Sequence, residues 1–233
     1  MAEKGARGII TIDGPAGAGK STVARMLAAA LGYLYLDSGA LYRLVALQAT
    51  RLDLDLDDTS ALRAFLEELK PQVTSNAHGF HLFLDGRDVS LVIREPWVGQ
   101  AASKVAVLAL VRGWVTGKLH HLAQNRGVVA EGRDLGTVVF PNAALKLYLN
   151  ASLAARAARR RQEWQKEDSS PSPEEVAQEL ADRDRRDETR AEAPLQVPPG
   201  ALVIDTTALN PQEVVRQCLD RIKEIFPDAG RLE

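Results

Sequence analysis

One eight-residue run constrains this chain more than any other. Gly14, Pro15, Ala16, Gly17, Ala18, Gly19, Lys20 and Ser21 complete the pattern GxxxxGK[ST], with Thr22 following. Glycines at 14, 17 and 19 let the backbone wrap so that successive N–H groups converge on one anion, and a helix starting at the loop's end adds its dipole. The flanks agree with that geometry. Gly8 to Asp13 is a short β-branched run that predicts a strand, and Lys20 to Leu31 carries apolar residues at helical spacing until Gly32 stops it. In such a loop Lys20 reaches the β and γ phosphates of ATP, and the Ser21 hydroxyl ligates the Mg²⁺ that bridges them. A dinucleotide fingerprint is excluded, because Gly17 and Gly19 would require a glycine where Thr22 stands.

At 233 residues, 45% of them hydrophobic and 26% charged, the chain has room for one α/β domain with small insertions, or a domain plus a subdomain. Its net charge of -2 gives no broad pull on a nucleic-acid polymer, so any basic site is local. The first eight residues lead into no apolar segment with a cleavage site, and the uncharged stretch from Met26 to Leu36 is too short for a bilayer. A cytoplasmic protein without membrane association is expected. Cys218, among Val214, Val215, Leu219 and Ile222, reads as a small core residue. His78, His81, His120 and His121 read as surface residues rather than metal ligands.

Further along, Tyr33 to Leu36 predicts a second strand, and Ser38 could cap a helix from about Gly39 to Leu52. Leu52 to Asp58 reads as a solvated connection leading to Thr59, a cap for a helix ending near Leu69. From Pro71 to Asp88 the period becomes two and the Asp85-Gly86 pair marks a hairpin turn, which predicts a small antiparallel insertion. A helical region from about Trp97 to Asn125, interrupted near Gly113 or Gly117, precedes a buried strand from Gly127 to Glu131. Ala144 to Leu149 is another strand. An Arg-rich helix from about Ser152 to Lys166, a breaker cluster from Asp168 to Pro173 that predicts a hinge, and a charged helix from about Pro173 to Arg190 come next. Leu202 to Asp205 (strand) and Pro211 to Phe226 (helix) close the chain. Strands alternating with helices imply a parallel sheet covered on both faces, and with the loop they give a three-layer P-loop NTPase fold in the α/β class.

The loop names the donor and leaves the acceptor open, since the same loop serves GTPases, motors and transporters. No N-K-x-D guanine-reading sequence occurs, and the chain is short for a motor or transporter ATPase. A small-molecule kinase remains. Further clusters bear on the acceptor: Leu36 to Arg43 (LDSGALYR), Ala101 to Ala106 (AASKVA), Ala130 to Pro141 (AEGRDLGTVVFP) and Asp182 to Arg190 (DRDRRDETR). Ser38 and Arg43 follow the end of the second strand, where an Arg can grip a monophosphate. Arg133 and Asp134 leave the end of another core strand. Arg183, Asp187 and Arg190 share one helical face, as do Arg156, Arg159 and Arg160. A surface salt bridge for Arg43, a helix cap for Ser38, structural pairing for Arg133 and Asp134, and a solvated charged hairpin for the two late helices are the alternatives.

Together with the loop, these segments resemble the bacterial type of cytidylate kinase, which phosphorylates CMP and dCMP from ATP, and they span nearly the whole chain. The resemblance implies a single domain over 1–233, with core at 8–70, 107–155 and 191–233, an acceptor-side insertion at 71–106 and a helical lid with its flanking helices at 156–190. It assigns Ser38 and Arg43 to the acceptor phosphate, Asp134 with Ser103 and Arg112 to the base, Arg133 and Arg190 to phosphate, and Arg183 and Asp187 to the sugar hydroxyls. Catalysis falls to Lys20, Arg133, Arg159, Arg160 and Arg183, with Mg²⁺ as cofactor, no nucleic-acid or membrane partner, and a monomeric state. Cytosine offers an amine where uracil has a carbonyl, so Asp134 should disfavour UMP. Glu131 stands near where many P-loop proteins place an Mg²⁺-holding Asp, and its role is open. Two competing functions are a kinase for a hydroxyl acceptor such as shikimate, with Asp37 or Asp134 as base, and a nucleotide-dependent regulatory module without transfer.

Overall fold

The computed structural model describes residues 8–76, 79–164 and 172–225. The N-terminal run read for a signal peptide, His78, and all of the expected hinge except Ser172 and Pro173 lie outside them. Five parallel strands form the core sheet: β1 (Ile9–Asp13), β2 (Leu34–Asp37), β6 (Val128–Glu131), β7 (Leu145–Asn150) and β8 (Leu202–Asp205). Their spatial order is β2-β6-β1-β7-β8. Between β1 and β7 the connections leave in opposite directions, from β1 to β2 on one side and from β7 to β8 on the other. A ligand crevice is expected outside the carboxyl ends at such a point, and Asp13, Asp37 and Glu131 end their strands there.

The β strands are apolar because helices cover both faces. Ile10, Ile12, Leu36, Val128, Val129, Ala130, Leu147 and Leu149 are buried, and they pack with Leu27 of α1 (Lys20–Leu31), Leu41, Leu44 and Leu47 of α2 (Ser38–Arg51), Leu119 of α5 (Ala109–Ala123), and Cys218 and Ile222 of α8 (Pro211–Ile225). After the α3 helix (Thr59–Glu68) comes a separate antiparallel sheet, β3-β4-β5 (Gln72–Asn76, Gly79–Leu84, Arg87–Asp88), within the stretch expected to be an insertion. Asp85 and Gly86 both take positive φ in the β4–β5 turn, as a two-residue primed turn requires.

Several boundaries differ from the sequence reading for identifiable reasons. Asp37, not Ser38, caps α2, because its carboxylate accepts from Ala40 N at 2.9 Å. Likewise Asp58, not Thr59, caps α3, accepting from Ser60 and Ala61. The long helical region breaks at 106–108, between α4 (Pro96–Val105) and α5, rather than at Gly113 or Gly117. Those glycines continue α5 facing open space, while the Ala106 carbonyl freed at the break accepts from Arg112 at 3.2 Å. Within Leu52 to Asp58, Leu54 and Leu56 pack half-buried on the core, while Leu52 and the acidic residues face solvent.

The α6 (Leu153–Trp164) and α7 (Pro173–Thr189) helices pack on each other over the loop end of the sheet. Ser172 and Glu175 form a capping box with Pro173 in the first turn, which starts α7 where the proline predicted it. Among the described residues no helix is long and apolar enough to cross a membrane.

Candidate active site

A cavity of about 810 Å³ opens at the carboxyl ends of the strands. One wall is the phosphate loop. Gly14, at φ 143°, brings its Cα so close to β7 that an added Cβ would lie 2.0 Å from the Leu149 carbonyl oxygen. At Gly19, φ is 87°, and α1 begins there without any side-chain cap. The first N–H groups of α1 are therefore left for an anion. Lys20 is buried and donates from Nζ to the Pro15 carbonyl at 2.6 Å, curled over the cradle it would share with a phosphate. Burial, with Arg133 next in weight, holds its pKa well below the ordinary lysine value.

Beneath the loop, Ser21 Oγ donates to Glu131 Oε2 at 2.9 Å, and the other Glu131 oxygen accepts from Tyr35. Ser38 Oγ donates to the Glu131 carbonyl at 2.8 Å, which joins β2 and β6 across the crevice floor. Asp13 accepts from Leu135 N at 2.9 Å and Gly136 N at 2.8 Å. It thereby ties the strand that feeds the loop to the turn carrying Arg133 and Asp134. Desolvation raises Asp13 to about 6 against those two hydrogen bonds.

The opposite wall separates two environments. Asp134 is held between Arg112 and Arg190, with Arg190 Nη2 at 3.4 Å from Oδ1. Arg112 itself stands behind Asp134, off the cavity surface, while Ser103 and Tyr42 line it. Arg133 donates from Nε to Asp187 at 2.8 Å. Arg190, which the resemblance assigns to phosphate, is thus found on the Asp134 side. Arg43 makes no hydrogen bond or ion pair among the described residues, and the Arg183 Nε is buried without a partner. Burial, then Arg133 and Arg43, bring Arg183 down to about 9, so it keeps its charge at neutral pH but at a cost. A buried guanidinium in excess of its carboxylates favours an incoming anion.

The arginines of α6 divide differently from their shared stripe. Arg156 lies behind the loop, not over it: it pairs with Asp184 and donates to the carbonyls of Ala16 at 3.1 Å and Ala151 at 3.0 Å. Asp184 also accepts from Ala16 N at 3.2 Å, so the pair holds the loop at Ala16 through both its N–H and its carbonyl. Arg159 donates to the Thr206 hydroxyl and carbonyl, and it lines the cavity together with Arg160, whose charge acts on Arg43 and Arg183.

Residues 10–224 match the sequence profile of the cytidylate kinase family. The chain belongs to that family. The cytidylate kinase of Shewanella loihica is 43% identical over 94% of this chain and 96% of its own length. That of Caldanaerobacter subterraneus is 42% identical over 92% and 94%, and that of Pasteurella multocida 43% over 93% and 95%. A shikimate kinase from Acinetobacter baumannii covers 97% of the chain at 17% identity and a TM-score of 0.45, a likeness that carries no argument about the acceptor.

Within the cytidylate kinase frame, Asp13, Tyr35, Tyr42, Asp184 and Thr206 escaped the sequence reading of this site. Two of them had a local signal. Asp13 is the only charge in the first buried strand, and Tyr35 lies two residues before Asp37, on the same strand face. Nothing local marks Asp184 off from its charged neighbours.

Proposed function

We propose that the chain transfers the γ-phosphoryl group of ATP to CMP, and to dCMP as well, by direct in-line displacement. The observation that carries this reading is the cavity's polarity: the phosphate loop at one end, the Arg112–Asp134–Arg190 clamp at the other, and Lys20, Arg43, Arg133, Arg160 and Arg183 between them. ATP binds with its β and γ phosphates in residues 14–22, Lys20 exchanging the Pro15 carbonyl for phosphate oxygen. Ser21 Oγ and Glu131 Oε2 are hard oxygen donors side by side, which suits Mg²⁺, and they would hold it. When bound, Mg²⁺ neutralises charge on the bridging phosphates.

On the acceptor side, Asp134 accepts from the cytosine amine with Ser103 beside it, held in place by its ion pairs with Arg112 and Arg190. Uracil would turn a carbonyl toward that carboxylate. Arg183 and Asp187 meet the sugar hydroxyls, and Arg43 with Arg133 holds the acceptor phosphate. That phosphate, with a second pKa of about 6, is already largely deprotonated at neutral pH, so no general base is required. Lys20, Arg160 and Arg183 then stabilise a loose transition state, with α6 and α7 covering it from water.

An ADP-release assay offering CMP, dCMP, UMP, AMP and shikimate separately tests the reading. CMP and dCMP should stimulate release well above the others. A preference for shikimate, or ATP hydrolysis indifferent to any acceptor, would overturn it.

A further inference from the structure

Glu131 carries one methylene and one rotatable bond more than the aspartate common at such positions, so its carboxylate needs a brace if it is to present one oxygen to a cation. The fold supplies one. Tyr35 and Glu131 sit on adjacent strands, β2 and β6, where Asp37 pairs with Glu131 and Tyr35 lies two residues earlier on the Asp37 face. The Tyr35 hydroxyl donates to Glu131 Oε1, while Oε2 faces Ser21 Oγ at 2.9 Å. Tyr35 is 1% exposed, its ring stands edge-on to Phe80 at 6.5 Å, and Ser75 of β3 bonds its carbonyl. Its position is therefore set by the core and by the insertion. The phenol is also a neutral donor. It occupies one carboxylate oxygen without cancelling the charge, whereas a turn toward Lys20 would withdraw both groups from the nucleotide.

We infer that Tyr35 is a positioning residue that locks Glu131 with Oε2 toward the Mg²⁺ of bound Mg·ATP. The inference rests on the reading of Ser21 and Glu131 as the Mg²⁺ side of the site. Its role is second-hand, through Glu131, so its signature is metal affinity rather than nucleotide or acceptor affinity.

The test uses Tyr35→Phe, which keeps the ring, in the full chain with a non-hydrolysable ATP analogue and Mn²⁺ as the probe, read by electron paramagnetic resonance. Mn²⁺ affinity of the analogue complex should fall by about 10-fold or more, in the range typical of losing a group that orients a metal ligand. Affinities for CMP and for the metal-free analogue should stay within about twofold, the scatter of uncoupled sites. In a cycle with Glu131→Gln, the double variant should bind Mn²⁺ no more weakly than Glu131→Gln alone. Unchanged Mn²⁺ affinity in Tyr35→Phe, even with a lowered melting temperature, would reduce Tyr35 to a packing residue and overturn the inference. If Glu131→Gln itself binds Mn²⁺ normally, the underlying reading of the metal side falls, and the inference with it.

Discussion

At position 134 one buried carboxylate is shared by two guanidiniums, and this arrangement alters what a substitution there would do. Asp134→Ala would strand Arg112 and Arg190 in the interior, at a cost of about 3–5 kcal/mol, and so would mix a folding defect with a binding one. Asp134→Asn is the cleaner probe. It should lower kcat/KM for CMP by about 100-fold, narrow the preference over UMP and leave ATP affinity unchanged, measured by steady-state kinetics with each acceptor. An unchanged preference would remove Asp134 from base reading. Lys20→Ala should abolish transfer, by about 1,000-fold or more in kcat, while far-UV circular dichroism stays the same, since among the described residues the lysine hydrogen-bonds within its own loop. Cys218 is buried and its thiol is pushed up to about 12. It should be inert to a disulfide reagent at pH 8 in the native state and react on unfolding in urea.

Among the elements, α6 and α7 have a second task besides covering the site, because Arg156 and Asp184 hold the Ala16 carbonyl and N–H from behind the loop. Ala16, Ala157, Val176 and Leu180 form a small apolar cluster at the same junction, so the loop is packed as well as bonded to these helices. Asp184→Ala leaves Arg156 buried without its carboxylate and should cost about 3 kcal/mol in urea unfolding. It should also weaken ATP binding and spare CMP, as a calorimetric titration of each nucleotide would show. The Arg-rich face of α6 was legible in the sequence, but its division was not. Arg156, Arg159 and Arg160 look alike on a helical wheel, and only the neighbours brought by the fold, Asp184, Thr206 and Arg183, send them to different work. Helix starts show the same limit at smaller range. Asp37 competes with Ser38 for one cap, and the serine loses because its hydroxyl finds the Glu131 carbonyl across the sheet.

Across the whole molecule, the crevice joins the phosphate loop after β1, the ends of β2 and β6, the helices α1, α2, α4, α6, α7 and α8, and the turn after β8. Asp13 links two of these parts, and its raised pKa gives the linkage a pH signature. Its folded value, about 6, lies above the ordinary 3.8, so its contribution to stability is present at low pH and is lost as pH rises through about 6. Asp13→Asn should therefore destabilise more at pH 5 than at pH 7, by about 1 kcal/mol, as denaturant unfolding at the two pH values would show; equal losses would contradict the buried, proton-retaining carboxylate. Local spacing was enough to specify the phosphate loop, the α1 helix to its last residue, and the alternation that makes a parallel sheet. These follow from backbone geometry and periodicity within a few residues. The partnerships did not. Tyr35 with Glu131, Asp134 between Arg112 and Arg190, and Ala16 held by Asp184 join residues far apart in the chain. Each is decided by strand register and helix packing, since only burial brings such charges together and makes their pairing matter.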